Sequence, residues 1–334
     1  MSFDVITIGS ALVDTFVSTD SDLVRIDTRH HKEEFIAFPL GSKVLINKMN
    51  QTTGGGGTNT AVSFSRLGLN TGFLGKIGDD SNGDFIVDML KKEKVDFIGP
   101  RAKGLTSGFS IVMDSISGDR TILTYKGVND ALHIDEVPEL DTKWIYSSSM
   151  MHESFETIVK IAQMTSAKFA FNPSSYQAVQ GYEKLKPLID NLEVLIMNKE
   201  EACEFLGLKS GALKTITELM EMMSHLPPKY LVITNGKDGS YVWDREKMYH
   251  AKPSNNIMVV ETTGAGDSLA SGFVAGLAQG KDTLYSLRLG MINCESVISK
   301  TGAKEALMYR DEAMQAVMND VREINITEIN INEI

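Results

Sequence analysis

Short runs rich in β-branched or aromatic residues recur along this 334-residue chain, and segments with helical periodicity separate most of them. The runs include FDVITI at 3–8, KFAF at 168–171, EVLIMN at 193–198 and YLVIT at 230–234. Strands that alternate with helices of this length predict a mainly parallel sheet, because each parallel pair needs a long crossover connection. We therefore predict an α/β fold with a doubly wound, mainly parallel sheet flanked by helices.

Two segments depart from this alternation. Residues 14–50 carry alternating and β-branched residues without a helical period, and residues 105–127 contain two β-rich runs joined around Ser117-Gly118-Asp119. The second segment is typical of a hairpin. We predict that both segments form a small β-sheet lid within a single domain, residues 1–334.

The stretch ETTGAGDSLASGFVAGL at 261–277 describes an anion site at the start of a helix. Gly264, Ala265 and Gly266 are small enough to let backbone N–H groups point inward, and the helix dipole adds positive potential there. Asp267 stands at the edge of this site. It is either a base that takes a proton from an attacking hydroxyl or an ordinary helix N-cap.

A second glycine-rich stretch, TTGGGGTN at 52–59, leads into an amphipathic helix that Asn59 and Thr60 are expected to open. Four consecutive glycines are entropically costly and imply close approach of the backbone to another group, whereas a flexible linker is the alternative. Asp14 follows the first predicted strand. Open α/β sheets place ligand contacts at such positions, and a solvated loop acid is the other interpretation.

Three further segments carry weaker signals. Asn198 and Glu201 follow a predicted strand, where they touch a metal-bound phosphate or cap the next helix. TNGKDG at 234–239 reads as a plain β-turn when taken alone. The C-terminal REINITEININEI is an edge strand or a frayed tail, and we assign it no function.

Charge and composition narrow the class of ligand. A net charge of −11 without a basic run argues against a nucleic-acid partner and favours a small molecule. No signal-peptide pattern or membrane-spanning run is recognisable, and Cys203 and Cys294 lie far apart in helix-like contexts. We therefore expect a cytoplasmic protein with no membrane partner. The histidines show no spacing suited to a transition metal.

The pairing of GGGGTN at 54–59 with TTGAGD at 262–267 resembles the two signature regions of the ribokinase-like (PfkB) family of sugar and nucleoside kinases. Further segments agree in order and spacing, namely Asp14, RTILTYKGVNDAL at 120–132, NPSS at 172–175, NKEE at 198–201 and TNGKDG at 234–239. The resemblance spans nearly the whole chain. No Walker A sequence is present, which disfavours a P-loop kinase.

The resemblance implies a role for each matching residue. It makes Asp267 the catalytic base, with an anion hole for the transferred γ-phosphate formed by Gly264, Ala265 and Gly266. The residues implied to hold sugar hydroxyls are Asp14, Gly55, Gly56, Asn59 and, more loosely aligned, Glu153. Those implied to bind the nucleotide are Asn198, Glu201, Thr234, Gly236, Gly239 and Asn293. Glu201 would reach Mg²⁺ through water.

Two positions depart from the family pattern. Glu261 stands where many members with a monovalent-cation site have Asp, so this position is either a changed K⁺ site or one that binds no cation. The third glycine of GGGGTN replaces the lysine of GGKGAN in typical ribokinases, which weakens the assignment to ribose.

The implied function is an ATP- and Mg²⁺-dependent kinase acting on a hydroxymethyl group of a furanose-like sugar such as ribose or a related pentose or hexose. A nucleoside kinase is the alternative, with a base stacked on Phe16, Phe35 and Phe38, and a catalytically inactive sugar-binding protein is a remote one. We also expect a homodimer that associates through the lid.

Overall fold

The structure is a computed structural model that describes residues 2–19, 22–27, 32–114, 120–208, 213–254 and 257–328. Its strands are β1 Phe3–Ile8, β2 Leu12–Thr19, β3 Asp22–Asp27, β4 Lys32–Ala37, β5 Ile46–Gly54, β6 Thr71–Leu74, β7 Ile77–Gly78, β8 Val95–Phe97, β9 Arg101–Ala102, β10 Gly108–Asp114, β11 Arg120–Tyr125, β12 Thr142–Ser148, β13 Lys168–Asn172, β14 Val194–Asn198, β15 Tyr230–Thr234, β16 Ser240–Trp243, β17 Lys247–Ala251 and β18 Ile324–Glu328. Its helices are α1 Gly56–Arg66, α2 Ser81–Lys92, α3 His152–Met164, α4 Ser175–Ala178, α5 Gly181–Ile189, α6 Lys199–Phe205, α7 Ile216–Met222, α8 Ala265–Ala278, α9 Thr283–Ile298 and α10 Arg310–Met318.

The central sheet has ten strands in the order β18-β17-β16-β15-β14-β13-β12-β1-β6-β8. The strands from β8 to β15 in this order are parallel, and β16, β17 and β18 continue the sheet in antiparallel pairing. This confirms the predicted mainly parallel sheet. The C-terminal segment forms an edge strand over Ile324–Glu328, and the rest of the tail lies outside the described residues.

Apolar side chains cover both faces of the central sheet. On β1, Ile6 and Ile8 join the cluster packed under α3, α5 and α6, whereas Val5 joins Phe64 and Phe273 on the opposite face. Alternate residues of a strand point to opposite faces, so apolar residues at consecutive positions, such as Val5 and Ile6, suit a sheet that is buried on both sides. Each such side chain contributes about 1.5–3 kcal/mol of stability.

A four-stranded sheet lies apart from the central one, in the order β11-β10-β2-β5, and we call it the lid sheet. Parts of both segments predicted to form a small sheet combine in it, and β10 and β11 form the predicted antiparallel hairpin. Strands β3 and β4 of the first segment instead pair with each other in a separate two-stranded sheet. The hairpin tip at 115–119 lies outside the described residues. Asp14 is part of β2, paired with Thr52 on β5 and Ser110 on β10, so it is not a loop acid.

Both glycine-rich stretches start their helices differently from the prediction. Helix α1 begins at Gly56 rather than Asn59, with Gly55 at φ +95° as its N-cap. Glycines carry no periodic apolar signal, so the pattern revealed only the later turns. Helix α8 begins at Ala265 after Gly264, which is left-handed at φ +79°. The N-cap interpretation of Asp267 is therefore wrong, because Asp267 is the third helical residue.

Among the described residues, no helix combines the length and the apolar character needed to cross a membrane. Cys203 on α6 is buried, Cys294 on α9 is half-buried, and both are free thiols.

Candidate active site

The carboxyl ends of the parallel strands bring the predicted segments to one edge of the sheet. Ile8 at the end of β1 is opposite Ser147 of β12, and Asn198 at the end of β14 is opposite Thr234 of β15. The glycine-rich turn before α1 lies at the same edge of the sheet, because Gly57 packs directly on the backbone of Gly9, which follows β1. Open α/β sheets place ligands in this crevice.

Asp267 is half-buried in the first turn of α8, facing α1. Its Oδ2 accepts a hydrogen bond of 2.8 Å from Asn59 Nδ2. Its Oδ1 lies on the side of Gly56, 3.4 Å from the position that a Cβ there would occupy. Burial raises the pKa of the Asp267 carboxyl, while the Asn59 hydrogen bond and the charge of Lys304 lower it. A carboxylate of raised basicity with one oxygen oriented and one available is suited to accept a proton.

The glycine run packs against protein groups on both sides. A Cβ at Gly54 would lie 1.8 Å from Asp14 Oδ2, one at Gly55 2.3 Å from the Ser10 carbonyl oxygen, and one at Gly56 2.8 Å from Ser148 Cβ. These contacts explain the costly glycines, since any side chain would displace Asp14 or Ser148. The linker interpretation is wrong, because the run forms the junction of β5 with α1.

Asp14 projects from the lid sheet towards this junction. Burial raises the pKa of the Asp14 carboxyl, and the Ser110 hydroxyl and the charge of Lys304 lower it. A half-buried carboxylate with no arginine or lysine at ion-pair distance in the described part of the chain is available for hydroxyl groups of a ligand.

The turn at Gly264 leaves fewer free donors than predicted. The Ala265 N–H donates to the Thr262 carbonyl at 3.1 Å, so it is not part of an anion hole. Within this fully described stretch, the N–H groups of Gly266 and Asp267 make no backbone hydrogen bond. These two donors, at the positive end of a 14-residue helix, are available to an anion.

Thr234, Gly236 and Gly239 lie together on one pocket, which also includes Ala265 and Gly266. Its remaining wall is mostly apolar and includes Leu269, Met291, Cys294 and Ile298. The TNGKDG turn and the turn at Gly264 therefore lie in one cleft. This cleft is suited to a ligand that has a flat apolar group next to an anionic group.

Asn293 does not line this cleft. Its side chain is fully buried; Nδ2 donates to Ser63 Oγ at 3.1 Å and to the Ser268 carbonyl at 2.9 Å, while Oδ1 accepts from the Met308 N–H. These bonds tie α9 to α1 and α8. The predicted contact of Asn293 with adenine is therefore withdrawn, because its hydrogen-bonding groups are already used inside the protein.

Asn198 and Glu201 form a capping box at the start of α6. Asn198 Oδ1 accepts from the Glu201 N–H at 2.8 Å, and Glu201 Oε2 accepts from the Asn198 N–H at 3.0 Å. The capping interpretation is thus confirmed, and it leaves Glu201 Oε1 available. Burial raises the pKa of the Glu201 carboxyl. A single available carboxylate oxygen fits Mg²⁺ that is held mainly by phosphates and water.

The two remaining predicted residues, Glu153 and Glu261, each have a partner within the protein. Glu153, at the start of α3, is exposed and its Oε2 is 2.9 Å from His133 Nε2. Glu261 Oε2 accepts a hydrogen bond of 2.8 Å from the Gly302 N–H, which ties the segment after α9 to the segment before α8. Among the described residues, no cluster of three or more His, Cys, Asp or Glu residues is arranged to hold a metal ion.

Sequence reasoning missed Lys304 and Ser148. Lys304 is buried beside the glycine run, and Ser148 Oγ is buried against Gly9 and Gly56 without a hydrogen-bond partner in the described part of the protein. Ser148 had no signal beyond its place at the end of a predicted strand. Lys304 had one signal in the sequence: it is the single cation of GAKEALM, whose other residues apart from Glu305 are small or apolar.

The chain is similar to known proteins over most of its length. A family model described as pfkB family carbohydrate kinase matches residues 16–308. A 5-dehydro-2-deoxygluconokinase of Bacillus velezensis is 25% identical over 335 residues, covering 94% of each chain. One of Bacillus thuringiensis is 29% identical over 294 residues, covering 81% of this chain and 87% of the relative.

Solved structures share the fold over nearly the full length. Adenosine kinase from Sinorhizobium meliloti has a TM-score of 0.77 at 21% identity, covering 95% of this chain and 100% of that one. Ribokinase from Arabidopsis thaliana, complexed with ribose and ATP, has a TM-score of 0.77 at 19% identity, covering 96% and 100%. At these identities the likeness establishes the ribokinase-like fold.

Proposed function

Because the chain belongs to the pfkB family of carbohydrate kinases, and is therefore a phosphotransferase that acts on a sugar hydroxyl, we propose that ATP is its phosphate donor and Asp267 its general base. One observation carries this proposal. Asp267 contacts Asn59 on the glycine-run side, and its neighbour Gly266 lines the cleft on the TNGKDG side. The base thus lies between the groups assigned to the two reactants.

In this mechanism Asp267 Oδ1 accepts the proton of the attacking hydroxyl, while Asn59 holds Oδ2 and so fixes the carboxylate plane. The N–H groups of Gly266 and Asp267 stabilise charge on the transferred phosphoryl group. Phosphoryl transfer depends chiefly on such positioning and on charge stabilisation.

Asn198 and Glu201 would hold Mg²⁺ together with the nucleotide phosphates, Glu201 through water. The metal supplies neutralisation of phosphate charge when bound. The apolar wall formed by Leu269, Met291 and Ile298 would receive the base, with Thr234, Gly236 and Gly239 along its polar side.

On the sugar side, we propose that Asp14 and Asn59 bind acceptor hydroxyls at the Gly55–Gly56 turn. The glycines act by letting Ser10 and Ser148 pack closely and so shaping the pocket. Glu153 is assigned at most a peripheral contact, because it is exposed and paired with His133.

For the acceptor, we propose a hydroxymethyl group of a keto-deoxy sugar acid of the 5-dehydro-2-deoxygluconate type. The support is that relatives at 25–29% identity, matched over 81–94% of this chain, carry this activity in their names. Ribose and related furanose sugars are the second candidate. Nucleosides are the third: Phe16 on β2 and exposed Phe38 would supply the stacking surface, whereas the side chain of Phe35 lies outside the described residues.

We expect a coupled assay of ADP release to show turnover with 5-dehydro-2-deoxygluconate above that with ribose, fructose or adenosine. Chelation of Mg²⁺ with EDTA should abolish turnover, and excess Mg²⁺ should restore it. Parallel assays with K⁺ and with tetramethylammonium test the Glu261 position. Absence of sugar-dependent ADP release across the whole panel would contradict the proposed function.

We also propose that the lid sheet forms a homodimer contact. Apolar side chains on its edge strands β5 and β11 are more than half exposed, including Ile46, Met49, Leu123 and Tyr125. Such a surface is typical of an association site. Sedimentation velocity should give twice the 36.7 kDa chain mass.

Leu123→Glu is expected to shift this dimer towards monomer. Met318→Glu, at an exposed apolar position on α10, is the matched control and should leave the mass unchanged. A monomer for the unmodified protein at micromolar concentration would rule out this contact.

A further inference from the structure

Lys304 is a buried cation that the proposed mechanism leaves without a role. Its residue is 7% exposed, in the segment between α9 and α10. Nζ donates to the carbonyl oxygen of Thr53, to Thr53 Oγ1 at 2.8 Å and to Thr58 Oγ1 at 3.0 Å. Thr53 and Thr58 flank the glycine run, so the ammonium lies directly behind the β5–α1 junction.

Further hydrogen bonds anchor the segment that carries Lys304. Arg66 Nη1 donates to the Lys304 carbonyl at 2.8 Å and to the Leu307 carbonyl at 3.2 Å, and Arg66 is itself paired with Glu93. Thr58 Oγ1 donates to the Gly54 carbonyl at 2.8 Å, which leaves its lone pairs for Lys304.

Lys304 cannot bind a substrate in this arrangement. An ammonium has three donors, and all three are used by Thr53 and Thr58. Any effect of Lys304 on ligands or on proton transfer must therefore act through its charge and through the groups that it holds.

The charged groups around Lys304 indicate how its own charge acts. Asp14 faces it from β2, Asp267 from α8 and Glu93 from the end of α2, while Arg66 on α1 adds a like charge. Burial lowers the pKa of Lys304 to about 7, although the three carboxylates act in the opposite direction. Reciprocally, Lys304 is the basic residue that lowers the pKa of both Asp14 and Asp267 against their burial.

We propose that Lys304 is a positioning residue of the site: its buried ammonium balances the charges of Asp14 and Asp267 together and fixes the glycine junction between them. Two half-buried carboxylates would otherwise repel each other and the incoming phosphate. The charge of Lys304 behind the junction favours the ionised form of both carboxyls, one to hold the acceptor and one to take its proton. The catalytic part of this role rests on the function proposed above, whereas the charge balance does not.

The test uses the ligand-free protein and is independent of kinase activity. Aspartate carboxyl carbons are labelled with ¹³C, and the Asp14 and Asp267 signals are assigned with D14N and D267N. Lys304→Gln keeps a donor for the threonines but removes the charge, and Lys304→Arg keeps the charge. Lys300→Gln, an exposed lysine four residues earlier, is the matched control.

We expect Lys304→Gln to move the titration midpoints of both carboxyls to higher pH, by on the order of one pH unit, because an opposite charge that favoured ionisation is gone. Lys304→Arg and Lys300→Gln should retain the wild-type midpoints. Unchanged midpoints in Lys304→Gln would reduce Lys304 to a structural tie and overturn the proposal.

If Lys304→Gln does not fold, the unmodified protein supplies the test. The Asp267 signal should show a second inflection at the pH where the ¹³Cε signal of Lys304 titrates, and its absence overturns the proposal equally. Where sugar-dependent turnover is found, the acid limb of kcat/KM should also move to higher pH in Lys304→Gln. An inactive wild-type protein would instead count against the kinase function, and the carboxyl titrations alone would then decide the role of Lys304.

Discussion

Asp267→Asn is expected to lower kcat by about 10³-fold while leaving sugar affinity nearly unchanged, because a positioned general base contributes about 10²–10⁴-fold. Asparagine has the same shape, and its side-chain oxygen still accepts the hydrogen bond from Asn59 Nδ2. What it lacks is a basic oxygen on the Gly56 side. Single-turnover rates and sugar titrations by calorimetry separate these two effects.

Stability gives an independent check on this variant. Burial raises the pKa of Asp267 above the ordinary value of 3.8, so the fold favours the protonated form and loses stability as pH rises through that range. Removing the ionised carboxylate is therefore expected not to lower the melting temperature at pH 7. A loss of activity would then reflect chemistry and not unfolding.

Asp311→Asn is the matched control for this experiment, since Asp311 is an exposed acid in the first turn of α10. It should retain wild-type rates. Asp267→Asn turnover within tenfold of wild type would remove Asp267 from the role of base.

Asp14→Ala is expected to weaken sugar binding by about 2 kcal/mol, or about 30-fold, since hydrogen bonds to a charged group contribute about 1.5–3 kcal/mol. The nucleotide cleft shares none of its walls with the lid sheet, so the KM for ATP should change little. Calorimetric titration of the sugar and of a non-hydrolysable ATP analogue measures both affinities.

Asp96→Ala, at an exposed position on β8 near the far edge of the central sheet, is the control and should change neither affinity. An unchanged sugar affinity in Asp14→Ala would place the acceptor elsewhere on the lid sheet. Equal losses for sugar and nucleotide would indicate that Asp14 acts on the shape of the whole cleft.

Much of the site was predictable because several of its residues lie at the ends of strands. Asn198 and Thr234 are the last residues of recognisable strands, and Asp267 follows a small-residue turn. Parallel strands bring such positions to one edge of the sheet. The prediction for Asn293 was wrong because this residue does not lie at a strand end. It lies on a helix whose buried face carries a polar network, and a pattern of apolar residues does not reveal which polar side chain points inward.

The glycine run was also predicted only in part. Its cost in entropy indicated a close approach, but the approaching groups are Asp14 on β2, Ser10 in the β1–β2 connection and Ser148 on β12. Only the packed structure identifies them. Ala265 likewise suited an anion hole by size, yet its N–H is used within the turn by Thr262.

By itself, the sequence determined the alternation of strands and helices, the separate lid sheet, the two glycine-rich turns and the acid at the start of α8. These depend on local periodicity, side-chain size and backbone freedom, which short segments carry. Only the tertiary structure decided that Lys304, 37 residues beyond Asp267, lies behind the glycine run at 54–57. Burial and electrostatic contact join residues distant in the chain, and no local pattern encodes which of them meet.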